Sequence, residues 1–276
     1  MSTGWVALPL LLITSLIVFF VILIVELLTT VLTLPPGTTF TTADLLATPV
    51  FVVTVLVFSI TLFVLDILLA WMTYKLIRRR NTHFGRQQLF FEDVRRAISE
   101  QAAKKGVDAS IQLNNLERSV REARLDENEK NPVLWVALTL ASTAIPSAAI
   151  LRSTGFTTGF LSLIAMLYIY YFLMKDFYKH ERREDLFIND LLAALRITGL
   201  NVSLPYRNPP MPERSLALYV VLTIITAGFF WVYWVYVLLN DPNHHFRQQM
   251  MIEDTIMAQL SGASPPAPLP GPPPPN

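Results

Sequence analysis

Long stretches of the chain consist of apolar and aromatic residues and contain no Asp, Glu, Lys or Arg. These charge-free stretches are residues 1–25, 27–43, 45–65, 131–151, 153–174 and 215–240. A helix needs about 20 apolar residues to cross the hydrocarbon core of a bilayer, and several of the stretches reach that length. The pattern predicts an all-α fold, namely a polytopic helical membrane protein with about five spans.

A motif of eleven residues follows an apolar, aromatic-rich helix three times. The copies are HFGRQQLFFED (83–93), HERREDLFIND (180–190) and HHFRQQMMIED (244–254), and they align without gaps. On a helical wheel the His, Arg and Asp of each copy fall on one face, beside apolar residues. Such self-similarity indicates a duplicated unit. We therefore predict three repeats of a membrane helix plus an interfacial amphipathic helix.

The repeats divide the chain into six segments. These are repeat 1 with spans 1 and 2 and the first motif helix (1–106), a cytoplasmic amphipathic helix (107–131), repeat 2 with spans 3 and 4 and the second motif helix (132–204), a Pro-rich linker (205–214), repeat 3 with span 5 and the third motif helix (215–262), and a disordered Pro-rich tail (263–276). Gly106 and Gly199 are predicted to stop the first two motif helices in a left-handed cap, and Gly262 falls at nearly the same distance in repeat 3. For the cytoplasmic helix, packing on its own motif helix is favoured over binding to a partner.

Composition and charge support the membrane class and suggest an orientation. Hydrophobic residues make up 53% of the chain and charged residues only 16%, whereas a soluble domain carries about a quarter charged residues. Almost all Lys and Arg residues fall in residues 75–130 and 175–214. Because short basic loops stay cytoplasmic, both segments are predicted to lie inside, with the N-terminus also cytoplasmic. This bias is explained by topology, so no nucleic-acid partner is predicted.

The last apolar segment, 215–240, allows two topologies. One continuous span would put the third motif and the C-terminus outside the cell, opposite the first two motifs. A hairpin broken near residues 226–228 would keep all three motifs on one side, but each arm would be short. The single span is the preferred prediction, because this apolar run exceeds the length needed to cross and only Arg247 is basic beyond it.

The motif residues are predicted to have a structural role. They are His83, Arg86, Asp93, His180, Arg183, Asp190, His244, Arg247 and Asp254. Within one helix the Arg and the Asp are seven residues apart, which is too far for a direct pair in most geometries. We expect Arg86 to meet Asp190, and Arg183 to meet Asp93, so that ion pairs lock neighbouring repeats together.

The motif histidines are also the only candidate metal ligands. If the repeats pack around a pseudo-threefold axis, His83, His180 and His244 would converge, as a zinc site requires. Against this, the preferred topology puts His244 across the membrane, and the sequence fixes no carboxylate to orient the rings. No metal and no other cofactor is therefore predicted. The chain has no cysteine, which excludes thiolate sites and thiol catalysis.

Glu26 and Asp66 are the only acids within predicted spans. Carboxylates in a membrane are costly to bury, so such residues point to a transport function. The two lie at different depths and are not expected to pair. The preferred function is a non-enzymatic membrane scaffold or interaction protein, in contact with the lipid bilayer and with a homo-oligomer or membrane protein partner. The alternative is a channel or transporter for ions or small solutes that uses Glu26 or Asp66; a metal-dependent membrane enzyme ranks third.

Residues 226–236, TAGFFWVYWVY, resemble a known family. It is an uncharacterised prokaryotic integral-membrane domain family with a T-x-G-I-Y-x-x-Y-W-x-Y helix. The matching positions are Thr226, Gly228, Tyr233, Trp234 and Tyr236. The resemblance is local and covers roughly 40 residues, about one membrane helix and the residues that flank it. It implies a prokaryotic membrane protein in the cell membrane and assigns no activity.

Overall fold

The computed structural model describes residues 1–35, 38–39, 41, 43–44, 47–144 and 154–262, with side chains omitted at 141–144 and 154–162. Over these residues the fold is all-α and has no strand. Its helices are α1 (Ala7–Thr33, after a 3-10 turn at Thr3–Val6), α2 (Pro49–Lys105), α3 (Ser110–Asp126), α4 (Pro132–Ala144), α5 (Thr154–Ile197), α6 (Leu216–Ile225) and α7 (Phe230–Ser261). The boundary between predicted spans 3 and 4 falls largely outside these ranges, as does the Pro-rich tail.

Two helices are long and apolar enough to cross a membrane, judged by length and composition: Thr3–Thr33 and Pro49–Lys105. They run antiparallel, and the rings of Phe19 and Phe58 stack between them with centroids 3.9 Å apart. Large apolar side chains on their outer faces are exposed, including Val21, Leu56 and Phe63. An apolar outer surface of this size needs lipid or another protein to cover it.

The first two motif segments are not separate helices. α2 continues without a break from its apolar half through the first motif, and α5 does the same through the second. Pro242 lies inside α7 just before the third motif. Each motif helix extends its apolar helix and buries its polar face against the other motif helices. The buried face explains why the motif mixes polar and apolar residues.

The motif parts of α2, α5 and α7 form a parallel three-helix bundle. Their layers follow one another in the same order, from a histidine layer through a Gln/Glu layer to an apolar core. That core contains Phe91, Val94, Ile98, Leu116, Val120, Phe187, Leu191, Ala194, Leu195, Val202, Ile252 and Ile256. On the other side of the histidines, a second apolar cluster joins α2, α5 and α7 to α6.

α3 packs along two motif helices. It buries Leu116, Val120 and Ala123, and it contacts α2 and α5. The predicted packing of this polar helix on its own motif helix is confirmed, with α5 as an additional neighbour. Its C-terminal end brings Asp126 and Glu127 back to the level of the histidines.

The single continuous span predicted over 215–240 is not formed. α6 ends at Ile225, and the chain turns through Ala227 and Gly228, whose φ angles are 49° and 93°. α7 then runs back along α6, with the Tyr219 and Trp234 rings 5.3 Å apart.

The ends of this segment are held together by an ion pair. The Arg214 Nε donates to Asp241 Oδ2 over 2.6 Å, so the chain enters and leaves at one level. The third motif consequently lies beside the first two. The prediction that the third motif lies on the opposite side from the first two is contradicted by these contacts.

Glycine ends all three motif helices, as the sequence predicted for the first two. Gly106, Gly199 and Gly262 have φ angles of 63°, 79° and 71°. This left-handed conformation strains any residue with a Cβ, and it lets the last backbone N–H groups bond back into the helix. The repeats therefore share their stop signal as well as their motif.

Candidate functional site

Three histidines converge at the top of the bundle, one from each motif helix. They are His83 on α2, His180 on α5 and His245 on α7, and all three are buried. Their ring centroids lie 5.1, 5.3 and 5.4 Å apart, which is close to an equilateral triangle. One nitrogen from each ring falls within 4.8 Å of the others. His83 and His180 converge as in the alternative that was not favoured from the sequence, but the third member is His245 instead of His244.

Two of the rings are oriented by carboxylates. Glu127 Oε1 lies 2.9 Å from His180 Nδ1, and Glu181 Oε2 lies 2.9 Å from His245 Nδ1. Arg183 also donates to Glu127, at 3.1 Å, which favours the ionised carboxylate. An ionised carboxylate only accepts, so each Nδ1 carries the proton and each Nε2 presents its lone pair. In this arrangement, His83 Nε2 and His245 Nε2 face each other at 3.3 Å.

Arg207 comes from the Pro-rich linker and lies beside this layer. Its guanidinium is 2.5 Å from Glu184, 3.0 Å from Asp185 and 3.6 Å from Glu181. It also lies 3.4 Å from His245 Nδ1, the nitrogen that contacts Glu181. The contact between His245 Nδ1 and the Glu181 carboxylate is shorter, so we assign the Nδ1 proton to the bond with Glu181. Arg207 balances the charge of the buried acids.

A second polar layer lies one helical turn beyond the histidines. Its members are Gln87, Glu184 and Gln249, each four residues after its histidine. Gln87 Nε2 donates to Glu184 Oε1 over 3.3 Å, and Gln249 donates to Gln87. Below this layer the rings of Phe91 and Phe187 stack with centroids 3.8 Å apart. The polar site is therefore sealed by an apolar core on this side.

Aromatic rings enclose the histidines on their other sides. Phe84 stacks on His180 with centroids 4.3 Å apart, and Phe246 packs on His83 at 4.1 Å. Phe177 lies against both Phe84 and Phe246. This apolar shell excludes water from the rings and strengthens the electrostatic interactions among them.

Burial sets the protonation of the histidines. It lowers the pKa of His83 and His180 far below the usual range, and the positive charge of neighbouring groups, among them Arg86 and Arg207, acts in the same direction. Both rings are neutral near pH 7. Neutral imidazole is the form that can accept a hydrogen bond or bind a metal.

The acids respond differently to the same environment. Burial raises the pKa of Glu184 and Glu127, and nearby positive groups such as Arg207 and Arg183 act against that rise. Burial also acts to raise the pKa of Glu181, but hydrogen bonds from His245 and from the Met211 amide hold it below the usual value. Glu181 is consequently the most firmly ionised of these acids.

The predicted ion pairs between repeats do not form. Arg86 contacts Glu253 at 3.2 Å instead of Asp190, and Arg183 contacts Asp126 at 2.5 Å instead of Asp93. Asp93 is exposed and lies 4.0 Å from Arg96 on its own helix. Asp190 accepts a hydrogen bond from Ser119 of α3 at 3.4 Å. Arg86 still joins repeat 1 to repeat 3, but with a different partner.

The remaining motif residues lie outside the histidine cluster. Arg247 and Asp254 are exposed on α7, and His244 is half-buried beside the cluster. Burial lowers the pKa of His244. These residues do not contribute a ring or a carboxylate to the triangle.

Glu26 and Asp66 are both half-buried on their helices. The stacked rings of Phe19 and Phe58 fix the register of α1 against α2. Measured along the helix pair from this stack, Glu26 and Asp66 lie in opposite directions. With a rise of 1.5 Å per residue, their separation along the bundle is roughly 22 Å. The prediction that they do not pair agrees with this register. Asp66 lines a cavity of about 240 Å³ together with Thr73, Tyr170 and Trp231.

Several site residues were not singled out from the sequence. They are Glu127, Glu181, Glu184, Arg207 and His245. A signal for His245 is present in the spacing of apolar residues. Positions 7, 11 and 15 after His245 are Ile252, Ile256 and Leu260, whereas positions 11 and 15 after His244 are Thr255 and Gln259. A helix that faces the core needs apolar residues at such positions, as found after His245.

Comparison of the chain with protein-family models, curated proteins and solved structures finds no match. The local resemblance of residues 226–236 to a prokaryotic membrane domain family stays a prediction. The proposals below rest on the geometry of the described residues.

Proposed function

We propose that this protein is a non-enzymatic integral membrane scaffold that presents a rigid three-helix bundle at the cytoplasmic surface. The observation that carries the proposal is the continuity of α2 and α5. Each helix runs unbroken from an apolar, charge-free half into the buried polar core of the bundle. An element built in this way holds the bundle at a fixed position and orientation relative to the bilayer.

The proposed topology has four spans and one re-entrant hairpin. The hairpin is formed by α6 and the start of α7. α6 has 10 residues, so it is about 15 Å long, half the thickness of the hydrocarbon core. The basic segments that contain the first two motifs favour the cytoplasmic side, and contact with these motifs brings the third to the same side. Both the N-terminus and the end of α7 are then cytoplasmic.

A recurring apolar position supports a role in binding other proteins. Leu89, Leu186 and Met250 are aligned in the gapless motif copies, and Met250 lies one position before Met251, the residue that the structural register through His245 aligns with the two leucines. Their exposed fractions are 64%, 60% and 43%, although they lie beyond the basic residues that mark the membrane surface. A water-facing apolar residue that recurs in every repeat is typical of a contact site. We assign these positions to contact with a second copy of the chain or with a membrane protein partner.

Topology can be measured directly because the chain has no native cysteine. Single cysteines would be placed at Ser110, at Ser261 and at Thr39, and an impermeant thiol reagent would be added to intact cells. We expect labelling at Thr39 alone. Labelling at Ser261 without permeabilisation would overturn the re-entrant hairpin and restore a full fifth crossing.

The scaffold function is tested by photo-crosslinking in native membranes. A photoreactive amino acid would replace Leu89, Leu186 or Met250, with exposed Arg121 as the control position. We expect specific adducts at the three motif positions and none at Arg121. Adducts of twice the chain mass identify self-association, and other discrete masses identify a membrane partner. Absence of adducts at all three positions would rule the proposal out.

One observation favours the alternative of a channel or transporter. Asp66 borders the cavity described above, and an acid that faces a cavity among apolar helices points to an ion pathway. Proton and sodium fluxes would be measured in proteoliposomes with the wild-type chain, Asp66→Asn and Glu26→Gln. A flux that only Asp66→Asn abolishes would support transport through this cavity. Equal fluxes in protein-containing and empty liposomes would exclude it.

A further inference from the structure

We propose that His83, His180 and His245 together bind one divalent transition-metal ion, with zinc as the expected occupant. The site would join the three motif helices through a single ion. This inference goes beyond the scaffold function and does not depend on it, because it rests only on the contacts of the histidine layer.

The spacing of the ring nitrogens fits a zinc ion. Zinc–imidazole bonds are about 2.0–2.1 Å long, so two nitrogens on a tetrahedral ion lie about 3.3 Å apart. His83 Nε2 and His245 Nε2 are 3.3 Å apart. A nitrogen of His180 lies within 4.8 Å of both, so a small rotation of one ring completes the triangle.

The rings are oriented as metal-binding histidines are. Glu127 and Glu181 accept hydrogen bonds from the Nδ1–H groups of His180 and His245, which leaves both Nε2 lone pairs available to a metal. A carboxylate on the outer nitrogen of a ligating histidine fixes the ring and raises its basicity. Two of the three ligands therefore already have their supporting carboxylate.

The buried His180 Nε2 distinguishes a metal site from a network of hydrogen-bonded histidines. A shared proton can join His83 Nε2 to His245 Nε2. His180 Nε2, however, has no hydrogen-bond partner among the described residues, and its atom is fully buried. A buried polar atom left without a partner costs about 1–3 kcal/mol. One ion at the centre satisfies all three nitrogens at once.

The charges around the histidine layer are of both signs. Glu127, Glu181, Glu184 and Asp185 bring four carboxylates to the layer, and Arg183 and Arg207 pair with these acids. Arg79, Arg80 and Arg86 also act electrostatically on His83 or His180, and the carboxylates offset this positive charge. Glu184 Oε2 lies 3.9 Å from His245 Nε2.

The chemistry of the ligands narrows the choice of metal. Imidazole suits zinc, copper and nickel, whereas magnesium and calcium require oxygen ligands. His83 also borders an open cavity of about 510 Å³ between α2 and α7, and Lys75, Arg78, Arg79 and Arg86 line the same cavity. Three histidines leave the fourth position of a tetrahedral zinc ion open, whereas a structural site fills all four positions with protein ligands.

The test uses the full chain in detergent, purified with a tag that contains no histidine. The protein would be stripped with chelator, equilibrated with zinc sulfate, desalted and analysed for zinc per chain. Wild type should retain about one zinc ion, and His245→Gln should bind at least about 10-fold more weakly. His244→Gln is the matched control, since it removes the neighbouring histidine outside the triangle, and it should bind like wild type. Equal loss in His244→Gln and His245→Gln would overturn the site.

A second measurement covers the case in which a histidine variant does not fold. Cobalt would replace zinc in wild type, and a tetrahedral nitrogen-bound cobalt ion gives a visible absorption band that zinc should displace. Glu127→Gln, which keeps all three histidines, should weaken binding by about 10- to 100-fold. Folded wild type with neither bound zinc nor a cobalt band would overturn the proposal, whatever the variants do.

Discussion

The two halves of α2 place their polar and apolar residues in opposite ways. In the first half, Val53, Leu56 and Phe63 are exposed. In the second half, His83 and Gln87 are buried while Arg86 is exposed. One half therefore has an apolar exterior, and the other has a polar interior.

The difference shows what each half depends on. The backbone of an apolar helix in lipid satisfies its own hydrogen bonds, and its outer side chains only need apolar surroundings. A buried polar layer is stable only when each of its groups has a partner, because unpaired polar groups in a low dielectric are costly. We thus expect substitutions to have large effects in the bundle and small effects on the outer face of the apolar half.

The largest effect should follow removal of the charge that balances the buried acids. Arg207→Ala leaves Glu181, Glu184 and Asp185 without their shared cation, and the free energy of unfolding should fall by about 3–5 kcal/mol. SDS titration in mild detergent, followed by circular dichroism, measures this quantity. The control is Arg182→Ala, which removes an exposed partner of the same Asp185 and should cost at most about 1 kcal/mol. Similar losses for the two variants would show that the linker arginine has no special role.

The next largest effect is expected for a phenylalanine of the bundle core, in comparison with a phenylalanine on the apolar half of α2. Phe187 is 0% exposed in the bundle core, and Phe63 is 64% exposed on the apolar half of α2. Phe187→Ala should lower the free energy of unfolding by about 3 kcal/mol or more, since a large cavity remains. Phe63→Ala should change it by about 0.5 kcal/mol or less. A large loss for Phe63→Ala in the same SDS titration would indicate that this face packs on protein.

A smaller effect should come from the ion pair that closes the α6–α7 hairpin. Both the Arg214 and the Asp241 side chain are mostly buried, and two nitrogens of Arg214 donate to the carboxylate. We expect a coupling free energy of about 1–2 kcal/mol between Arg214→Ala and Asp241→Ala in a double-mutant cycle. Additive losses would mean that the hairpin closes without this pair.

The smallest effects should have opposite signs at two glycines of α2. Gly106 has a φ angle of 63°, so Gly106→Ala should cost about 1 kcal/mol. Gly85 is helical, exposed and has open space around the position of a Cβ, so Gly85→Ala should stabilise by about 0.5–1 kcal/mol. Thermal melts in detergent resolve the sign. A destabilising Gly85→Ala would reveal a neighbour at that surface.

Local signals in the sequence predicted local features of the fold. The charge-free runs gave helices, and the glycine after each motif marked a left-handed stop. The repeated motif correctly placed His83 and His180 at equivalent positions in the bundle. These features depend on residues that are close along the chain, where periodicity and backbone preference decide the outcome.

The third histidine was misplaced because a gapless alignment records letters and not the direction of a side chain. One residue along a helix turns the side chain by about 100°, enough to exchange a core position for a surface position. α7 enters the bundle after a tight hairpin and with Pro242 inside it, so its phase is set by tertiary packing. Only the apolar spacing beyond the motif distinguishes His245 from His244.

The partners of the charged residues could not be predicted from local sequence patterns. Arg207 lies in a Pro-rich linker, and Glu127 follows a polar helix, yet both reach the histidine layer by returning along the bundle. Arg86 contacts Glu253 because α7 lies next to α2 at that level. The order of helices around a bundle is a long-range property, and the motif alone does not determine it.

The unbroken α2 also has the proportions of a lever. Its 57 residues make a rod of about 85 Å, and a crossing of the hydrocarbon core takes up roughly 30 Å of such a rod. Helices adjust to a thinner or thicker bilayer by tilting. In the proposed membrane topology, tilting of α2 would swing its far end and load the contacts between His83 and its neighbours in the bundle.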